Sequence, residues 1–150
     1  MEKVAIDDLE NHPRVADVQK HASEPLGLAD MALNYYELEP GESFSGALHT
    51  HMNQEEVFYV LEGTATFQTK EDPVTVEGGE VVRFAPGEYQ EGRNESDDRV
   101  RALAMGAPKD DGETRTALPC QECGAEYHEV EVTADGVDLT CPDCGNEPAM

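Results

Sequence analysis

Two histidines one residue apart and a nearby glutamate are the residues of this chain best suited to chemistry. His49 and His51 flank Thr50, and Glu56 follows in the segment GALHTHMNQEEVFYVLEG. Alternate side chains of a β-strand share a face, so His49 and His51 point the same way. Two imidazoles and one carboxylate that converge on a point can hold a divalent transition metal and leave coordination positions open. We therefore expect any chemistry of the chain at this segment.

A second segment, which runs from Gly79 to Asn94, completes the pattern. Together the two segments resemble the paired motifs of the cupin superfamily, over roughly residues 30–106. In this chain the first motif consists of His49-x-His51, Glu56 after four intervening residues, and Gly63 after six more. The second motif consists of Gly79, Pro86-Gly87 after six intervening residues, Gln90 after two more, and Asn94 after three more. Two ordered motifs at matching spacing are a specific signal.

Two positions of these motifs need a choice. Glu55 and Glu56 compete for the carboxylate role, and only one can face inward because strand neighbours point to opposite faces. Glu56 keeps the six-residue spacing to Gly63, so we select Glu56. Gln90 stands where the family usually has its third histidine. Its amide oxygen could be a fourth metal ligand, or the amide could only hydrogen-bond a metal-bound water.

The resemblance implies one divalent transition metal in a barrel, namely iron, manganese or zinc, and a small-molecule substrate or ligand. Within cupins such centres support the oxidation of enols or diketones, and sugar-phosphate isomerisation or epimerisation. One hypothesis is thus a metal-dependent dioxygenase or isomerase. A second is a non-catalytic module that binds a small molecule, and a third is a structural barrel with a relic site. Whether the chain is an enzyme stays open at this stage, and the resemblance also implies a homodimer.

The elements that must position these residues are short strands separated by glycine and proline turns. This pattern predicts an all-β fold, and the resemblance makes it a cupin-like jelly-roll β-barrel followed by a small zinc-ribbon module. Glu62-Gly63 is expected to form a tight hairpin between two of the strands. The predicted strands cover residues 33–38, 56–61, 64–69, 74–76, 81–84 and 100–105.

Composition divides the chain into four parts. Residues 1–30 show no strong period and are expected to form an arm that packs on the barrel or on a second subunit. Residues 31–106 form the barrel. Residues 107–118 carry few core-forming side chains and are expected to be an acidic linker. Residues 119–147 form the second module.

Four cysteines define the second module. Cys120-x-x-Cys123 and Cys141-x-x-Cys144 are separated by seventeen residues, the spacing of a four-cysteine zinc site. The module resembles a zinc ribbon, with a hairpin turn at Ala134-Asp135-Gly136. Four thiolates close a tetrahedral site, so we expect one structural zinc; disulfides or a redox pair are the alternatives. His128 lies between the pairs and is predicted to be a solvated strand residue.

Charge restricts the partners of the chain. Thirty-three acidic residues against ten basic ones give a net charge of −23, and residues 110–150 hold only one basic side chain, Arg115. Nucleic acid and anionic membranes would be repelled, whereas a protein partner of the ribbon is compatible with this charge. A chain this acidic resembles cupins of halophilic archaea, whose concentrated cations screen self-repulsion. Without an apolar span or a signal-peptide core, we expect a cytoplasmic protein.

Overall fold

The computed structural model describes residues 1–134 and 136–148, and strands dominate this part of the chain. A single 3-10 turn, Ile6–Asp8, is the only helical segment among these residues. None of the described helices is long and apolar enough to cross a membrane. The strands are β1 (Val18–His21), β2 (Ala32–Leu38), β3 (His49–His51), β4 (Glu55–Glu62), β5 (Thr64–Gln68), β6 (Val74–Glu77), β7 (Val81–Phe84), β8 (Glu91–Arg93), β9 (Val100–Ala107), β10 (Thr114–Thr116), β11 (His128–Thr133) and β12 (Gly136–Thr140).

These strands form two facing layers around one core. One layer is a five-stranded sheet in the order β1-β2-β9-β4-β7. The other contains a three-stranded sheet, β6-β5-β8, and a four-stranded sheet, β12-β11-β10-β3, which a bridge between His49 and Gln90 connects. Side chains of β9 alternate between buried and half-buried, as expected for a strand with one face on the core. The all-β prediction is confirmed, and all six predicted barrel strands are present.

Aromatic side chains fill the space between the layers. Phe58 and Phe67 are almost fully buried, with ring centroids 4.8 Å apart. Phe44 and Phe84 pack against the Phe67 ring at 5.8 and 5.3 Å. Each ring buries a large apolar area, so this cluster is the main hydrophobic support beneath the histidine strand.

Gly63 forms a corner between the layers, and the hairpin predicted at Glu62-Gly63 is wrong. β4 pairs with β7 and β9 in one layer, whereas β5 pairs with β6 and β8 in the other. Gly63 has a φ of +82°, and a Cβ at this position would lie 2.4 Å from the carbonyl oxygen of Arg99. Glycine is therefore required by backbone contact at the corner, not by a two-residue turn.

Both segments outside the barrel motifs contribute strands to the sheets. The N-terminal residues pack on the barrel, because β1 pairs with β2 at the sheet edge, from Val18 opposite Glu37 to His21 opposite Asn34. The segment 107–118, expected as a linker, differs from that expectation at its end. There β10 pairs with β3 on one side and with β11 on the other. A short Thr-Arg-Thr strand has no apolar pattern by which the sequence could reveal it. Asp135, in the predicted turn between β11 and β12, lies outside the described residues.

Candidate metal centres

Three of the predicted ligands converge at one end of the barrel. A nitrogen of His49, a nitrogen of His51 and a carboxylate oxygen of Glu56 all lie within 4.8 Å of one another, a group that could hold a metal ion. His49 and His51 come from β3, and Glu56 comes from β4 in the facing sheet. Glu55 pairs instead with the exposed Arg83 on the outer face. The alternation of β4 thus directs Glu56, and not its neighbour, to the histidines.

The His49 ring is held in one tautomer. Its Nδ1 lies 2.9 Å from the backbone oxygen of Ala47, which can only accept a hydrogen bond. The proton is therefore on Nδ1, and the Nε2 lone pair is directed into the site. A backbone or carboxylate partner on the far nitrogen is the usual way in which proteins orient a metal-binding histidine.

The His51 ring is oriented by residues that follow the barrel. Its Nδ1 lies 3.0 Å from Thr114 Oγ1 and 3.5 Å from Asp111 Oδ2. A hydroxyl can donate or accept, but the negative charge of Asp111 favours a proton on Nδ1, which then donates to Thr114 Oγ1. The other nitrogen, Nε2, lies 3.7 Å from Glu56 Oε2. Neither Asp111 nor Thr114 was identified in the sequence, because both lie in the segment interpreted as a linker.

Burial sets the charge of the three donor groups. Burial lowers the pKa of His49 below its ordinary value. Burial, and then the neighbouring His49, lower the pKa of His51 to about 4. Burial raises the pKa of Glu56 to about 7, although the hydrogen bond from Gln90 opposes the change. Both imidazoles are thus neutral at physiological pH, which is the form that binds metals.

Gln90 lies beside the three donors. The backbones of His49 and Gln90 exchange two hydrogen bonds, of 3.1 and 2.9 Å. The Gln90 side chain is buried, and its Nε2 donates to Glu56 Oε2 at 2.9 Å. Its Oε1 is buried without a hydrogen-bond partner among the described residues. Gln90 therefore lies next to Glu56, with its amide nitrogen and not its oxygen toward the carboxylate.

A narrow recess leads to these groups. Its empty space, open solvent included, is about 170 Å³, and it is lined by His49, Thr50, His51, Gln54, Glu56, Phe84, Ala85, Glu88 and Gln90. Among the lining residues in the described part of the chain there is no lysine or arginine, while Glu56 and Glu88 are acidic. The side chains that line the recess nearly fill it, so in this structure it outlines a place for an ion and not a preformed cavity for a larger molecule.

The four cysteines form a second cluster in the C-terminal module. All four sulfurs lie within 4.8 Å of one another, with Cys120 and Cys144 at 3.7 Å and Cys123 and Cys141 at 3.5 Å. Zinc–sulfur bonds of about 2.3 Å in a tetrahedron place sulfurs about 3.8 Å apart, whereas a disulfide needs about 2.05 Å. The backbone N–H of Cys123 lowers the pKa of Cys120 to about 6, which favours its thiolate. The cluster fits a closed tetrahedral site.

His128 is not a solvated strand residue, and that prediction is wrong. The side chain is 1% exposed, and its Nδ1 lies 2.7 Å from the backbone oxygen of Leu118. It stands opposite Thr116 on β10, which in turn stands opposite His49 on β3. The sequence could not reveal this burial, because it depends on the pairing of β11 with a strand that the sequence did not predict.

Sequence comparison finds one family match within the barrel. Residues 34–106 match the family model described as a cupin domain, from within β2 to within β9, and this range contains His49, His51, Glu56 and Gln90. The match supports the cupin superfamily for this part of the chain. No curated protein matches the chain in sequence.

Solved structures share this fold. A sugar phosphate isomerase of the cupin superfamily from Silicibacter pomeroyi aligns at 21% identity and a TM-score of 0.74, over 98% of this chain and 97% of that one. A polyketide cyclase from Streptomyces resistomycificus aligns at 22% identity and a TM-score of 0.68, over 81% and 89% of the two chains. A predicted oxalate decarboxylase from Thermotoga maritima aligns at 21% identity and a TM-score of 0.60, over 71% and 98%. At such identities the likeness concerns the fold, and the differing activities in these descriptions give no single reaction.

Proposed function

We propose that the barrel is a mononuclear metal centre that isomerises or epimerises a small carbonyl metabolite. The observation that carries this proposal is the convergence of His49, His51 and Glu56 within 4.8 Å, with His51 Nε2 3.7 Å from the carboxylate and Nδ1 of His49 occupied by the Ala47 backbone oxygen. Neutral imidazoles and a carboxylate suit iron, manganese or zinc, and three protein ligands leave positions open for substrate. A divalent ion bound there supplies Lewis-acid polarisation of a substrate oxygen.

The residues around the centre have separate roles. His49 and His51 would bind the ion through Nε2, because their Nδ1 atoms are engaged by Ala47 and Thr114. Glu56 would bind as the carboxylate and offset one positive charge. Gln90 would complete the set through its amide oxygen, which has no other partner among the described residues. Phe84 closes one wall of the recess and limits the access of water to the reacting atoms.

Charge and volume support a small substrate whose reacting end is neutral. Glu88 lines the recess, and Asp111, 3.5 Å from His51, adds negative potential beside it. A phosphate group would meet these carboxylates without a lysine or arginine in the recess lining of the described chain. We therefore favour hydroxyketones, enols or aldoses without a phosphate at the reacting end, which distinguishes this site from what the description of the Silicibacter protein implies.

Metal analysis combined with hydrogen exchange tests this function. At high salt we expect two metals per chain, one of which is lost from His51→Ala. The protein loaded with manganese, zinc or iron is then mixed in D₂O with small neutral hydroxyketones and aldoses, and deuterium at the carbon beside the carbonyl is measured by NMR. Exchange in the wild type and none in His51→Ala would support the proposal. A loaded barrel without exchange would reject isomerisation. In the iron form, oxygen consumption with enols or diketones would instead indicate a dioxygenase.

A non-catalytic binding module is the second candidate. The small recess favours it, because it holds a metal and little else. The cysteine module would then contact a protein partner, and we propose structural zinc as its metal because the sulfur spacing fits a tetrahedron. Retention of one small molecule without its conversion would distinguish this candidate. A homodimer in the salt-rich cytoplasm of a halophile remains part of the proposal, based on the net charge of −23 and the resemblance to cupins.

A further inference from the structure

The strand beside the metal-binding histidines belongs to the segment after the barrel. β10 pairs antiparallel with β3, so that Thr114 lies opposite His51 and Thr116 lies opposite His49. On its other edge β10 pairs with β11, where Thr114 lies opposite Val130. The sheet that carries both histidines therefore continues without interruption into the hairpin of the cysteine module.

The contact that matters for the site is between Thr114 and His51. Thr114 Oγ1 lies 3.0 Å from His51 Nδ1, and Asp111 Oδ2 lies 3.5 Å from the same nitrogen. The Asp111 charge favours the proton on Nδ1, Thr114 Oγ1 accepts the hydrogen bond from that proton and holds the ring, and the Nε2 lone pair then faces Glu56. Without them, the ring of His51 could rotate or change tautomer and present an N–H where a ligand is needed.

The cysteine cluster holds the outer edge of β10 in place. The hairpin of β11 and β12 starts at His128, shortly after Cys123, and ends at Thr140, next to Cys141. Both ends of the hairpin are therefore fixed at the sulfur cluster. His128 adds a buried contact to Leu118, two residues before Cys120. A module of about thirty residues cannot bury a sufficient core alone, so metal binding supplies much of its folding free energy.

We propose that Thr114 is a positioning residue for His51, and that the metal-loaded cysteine module keeps Thr114 there. This inference rests on the proposed barrel metal centre and deepens it. Loss of the metal in the cysteine cluster leaves β10 paired on one edge only. Thr114 then leaves His51 more often, and the barrel binds its metal more weakly. The cysteine cluster thus couples metal binding by its four thiolates to metal binding in the barrel.

The first experiment measures Mn²⁺ binding to the barrel by EPR in the full chain, with zinc in the cysteine cluster. Mn²⁺ suits imidazole and carboxylate ligands and competes poorly for thiolates. We expect Thr114→Val to weaken binding about 10- to 100-fold and Thr114→Ser to restore it. Thr116→Val is the matched control, because the buried Thr116 hydroxyl donates to the backbone oxygen of Leu48 and, among the described residues, hydrogen-bonds no imidazole. Equal loss in both valine variants would reject a specific role for Thr114.

A double-mutant cycle tests the coupling. Cys141→Ser should weaken Mn²⁺ binding to a similar extent, and Thr114→Val should add little to that loss, because both act through the same contact. Full Mn²⁺ affinity in Cys141→Ser, with its cluster zinc lost, would overturn the coupling. Additive losses would also overturn it.

The tautomer of His51 separates this inference from the proposed function. In metal-free barrel protein, nitrogen NMR should report the Nδ1–H form of His51 in the wild type and in Thr114→Ser, and a mixture in Thr114→Val. This result would support the positioning role even if the wild-type barrel bound no divalent metal, an outcome that would reject the metal centre alone. An unchanged tautomer in Thr114→Val would reject the positioning role.

Discussion

The Gln90 amide nitrogen donates a hydrogen bond of 2.9 Å to the carboxylate of Glu56, across the two layers of the barrel. The amide oxygen at the other end has no partner among the described residues. Rotation of the Gln90 amide by 180° would place its oxygen about 2.9 Å from Glu56 Oε2. Two oxygens at this distance repel each other unless a cation lies between them. If a metal binds at Glu56, the Gln90 amide can therefore turn over and present its oxygen to the ion.

Substitution of Gln90 tests whether the amide is a ligand. Gln90→His should strengthen Mn²⁺ binding about tenfold or more at pH 8, since imidazole is the stronger ligand. Gln90→Leu, similar in size but without a donor atom, should weaken binding by about tenfold. Calorimetric titration at high salt would measure both. Wild-type affinity in Gln90→Leu would mean that Gln90 does not ligate the metal.

The pH dependence of metal binding should follow Glu56. Burial raises its pKa to about 7, whereas both imidazoles have lowered pKa values and are already neutral. Below pH 7 the metal must displace one proton from Glu56, so affinity should fall about tenfold per pH unit between pH 7 and 5, and change little above pH 7. Titrations in buffers of different ionisation enthalpy would count the released proton. Glu56→Gln should bind more weakly at pH 8 and lose this slope; a wild-type slope that persists in this variant would assign the proton to another group.

The stability of the metal-free barrel should fall as the pH rises, whereas its metal affinity should rise. Because the folded-state pKa of Glu56 is raised from 4.5 to about 7, its contribution to the free energy of unfolding is complete below pH 4.5 and is lost as the pH rises through 7. We expect the thermal midpoint of metal-free protein to fall over this interval by more in the wild type than in Glu56→Gln. Identical pH profiles of the two proteins would contradict the raised pKa.

The sequence predicted the barrel well and the surroundings of its site poorly, for a physical reason. β4 contains a continuous apolar run from Val57 to Leu61, and such β-forming runs are encoded locally. The period of a strand allows only one of Glu55 and Glu56 to face inward, and the spacing to Gly63 selected Glu56. In contrast, β10 is three residues long and polar, and its position depends on pairing with β3 and β11. Thr114, Asp111 and the burial of His128 all follow from this pairing.

The corner at Gly63 has a similar cause. Glu62-Gly63 has the composition of a hairpin turn, but the partners of β4 and β5 lie in different layers. Strand pairing is decided by contacts distant in sequence, which a local turn signal does not report. The two cysteine pairs were predictable for the opposite reason, because the spacing within each Cys-x-x-Cys pair is local.

Asn94, the last residue of the second motif, should act on stability and not on metal binding. It is fully buried, donates to the backbone oxygens of Leu38 and Asp98 at 2.9 and 2.8 Å, and accepts from Ser96. Asn94→Ala should cost about 3 kcal/mol by urea unfolding, because buried backbone groups lose their partners, and should leave Mn²⁺ affinity intact in the folded fraction.

Asn11→Ala is the control for Asn94, since Asn11 also bonds backbone groups on both sides but is exposed, so water replaces the lost bonds. Its cost should be below about 1 kcal/mol. Similar costs for the two variants would mean that burial of Asn94 is not the source of the effect.

Salt should stabilise the protein through its charge. A net charge of −23 on 150 residues produces self-repulsion that is screened over about 10 Å at 0.1 M salt and about 3 Å at 1 M. We expect the thermal midpoint to rise by about 10 °C between 0.1 and 2 M KCl, equivalent to a few kcal/mol. The exposed residues Asp97 and Asp98 provide the control. Replacement of both by Asn should raise the midpoint in 0.1 M KCl and have little effect in 2 M. An equal shift at both concentrations would show that screening of carboxylates is not the cause.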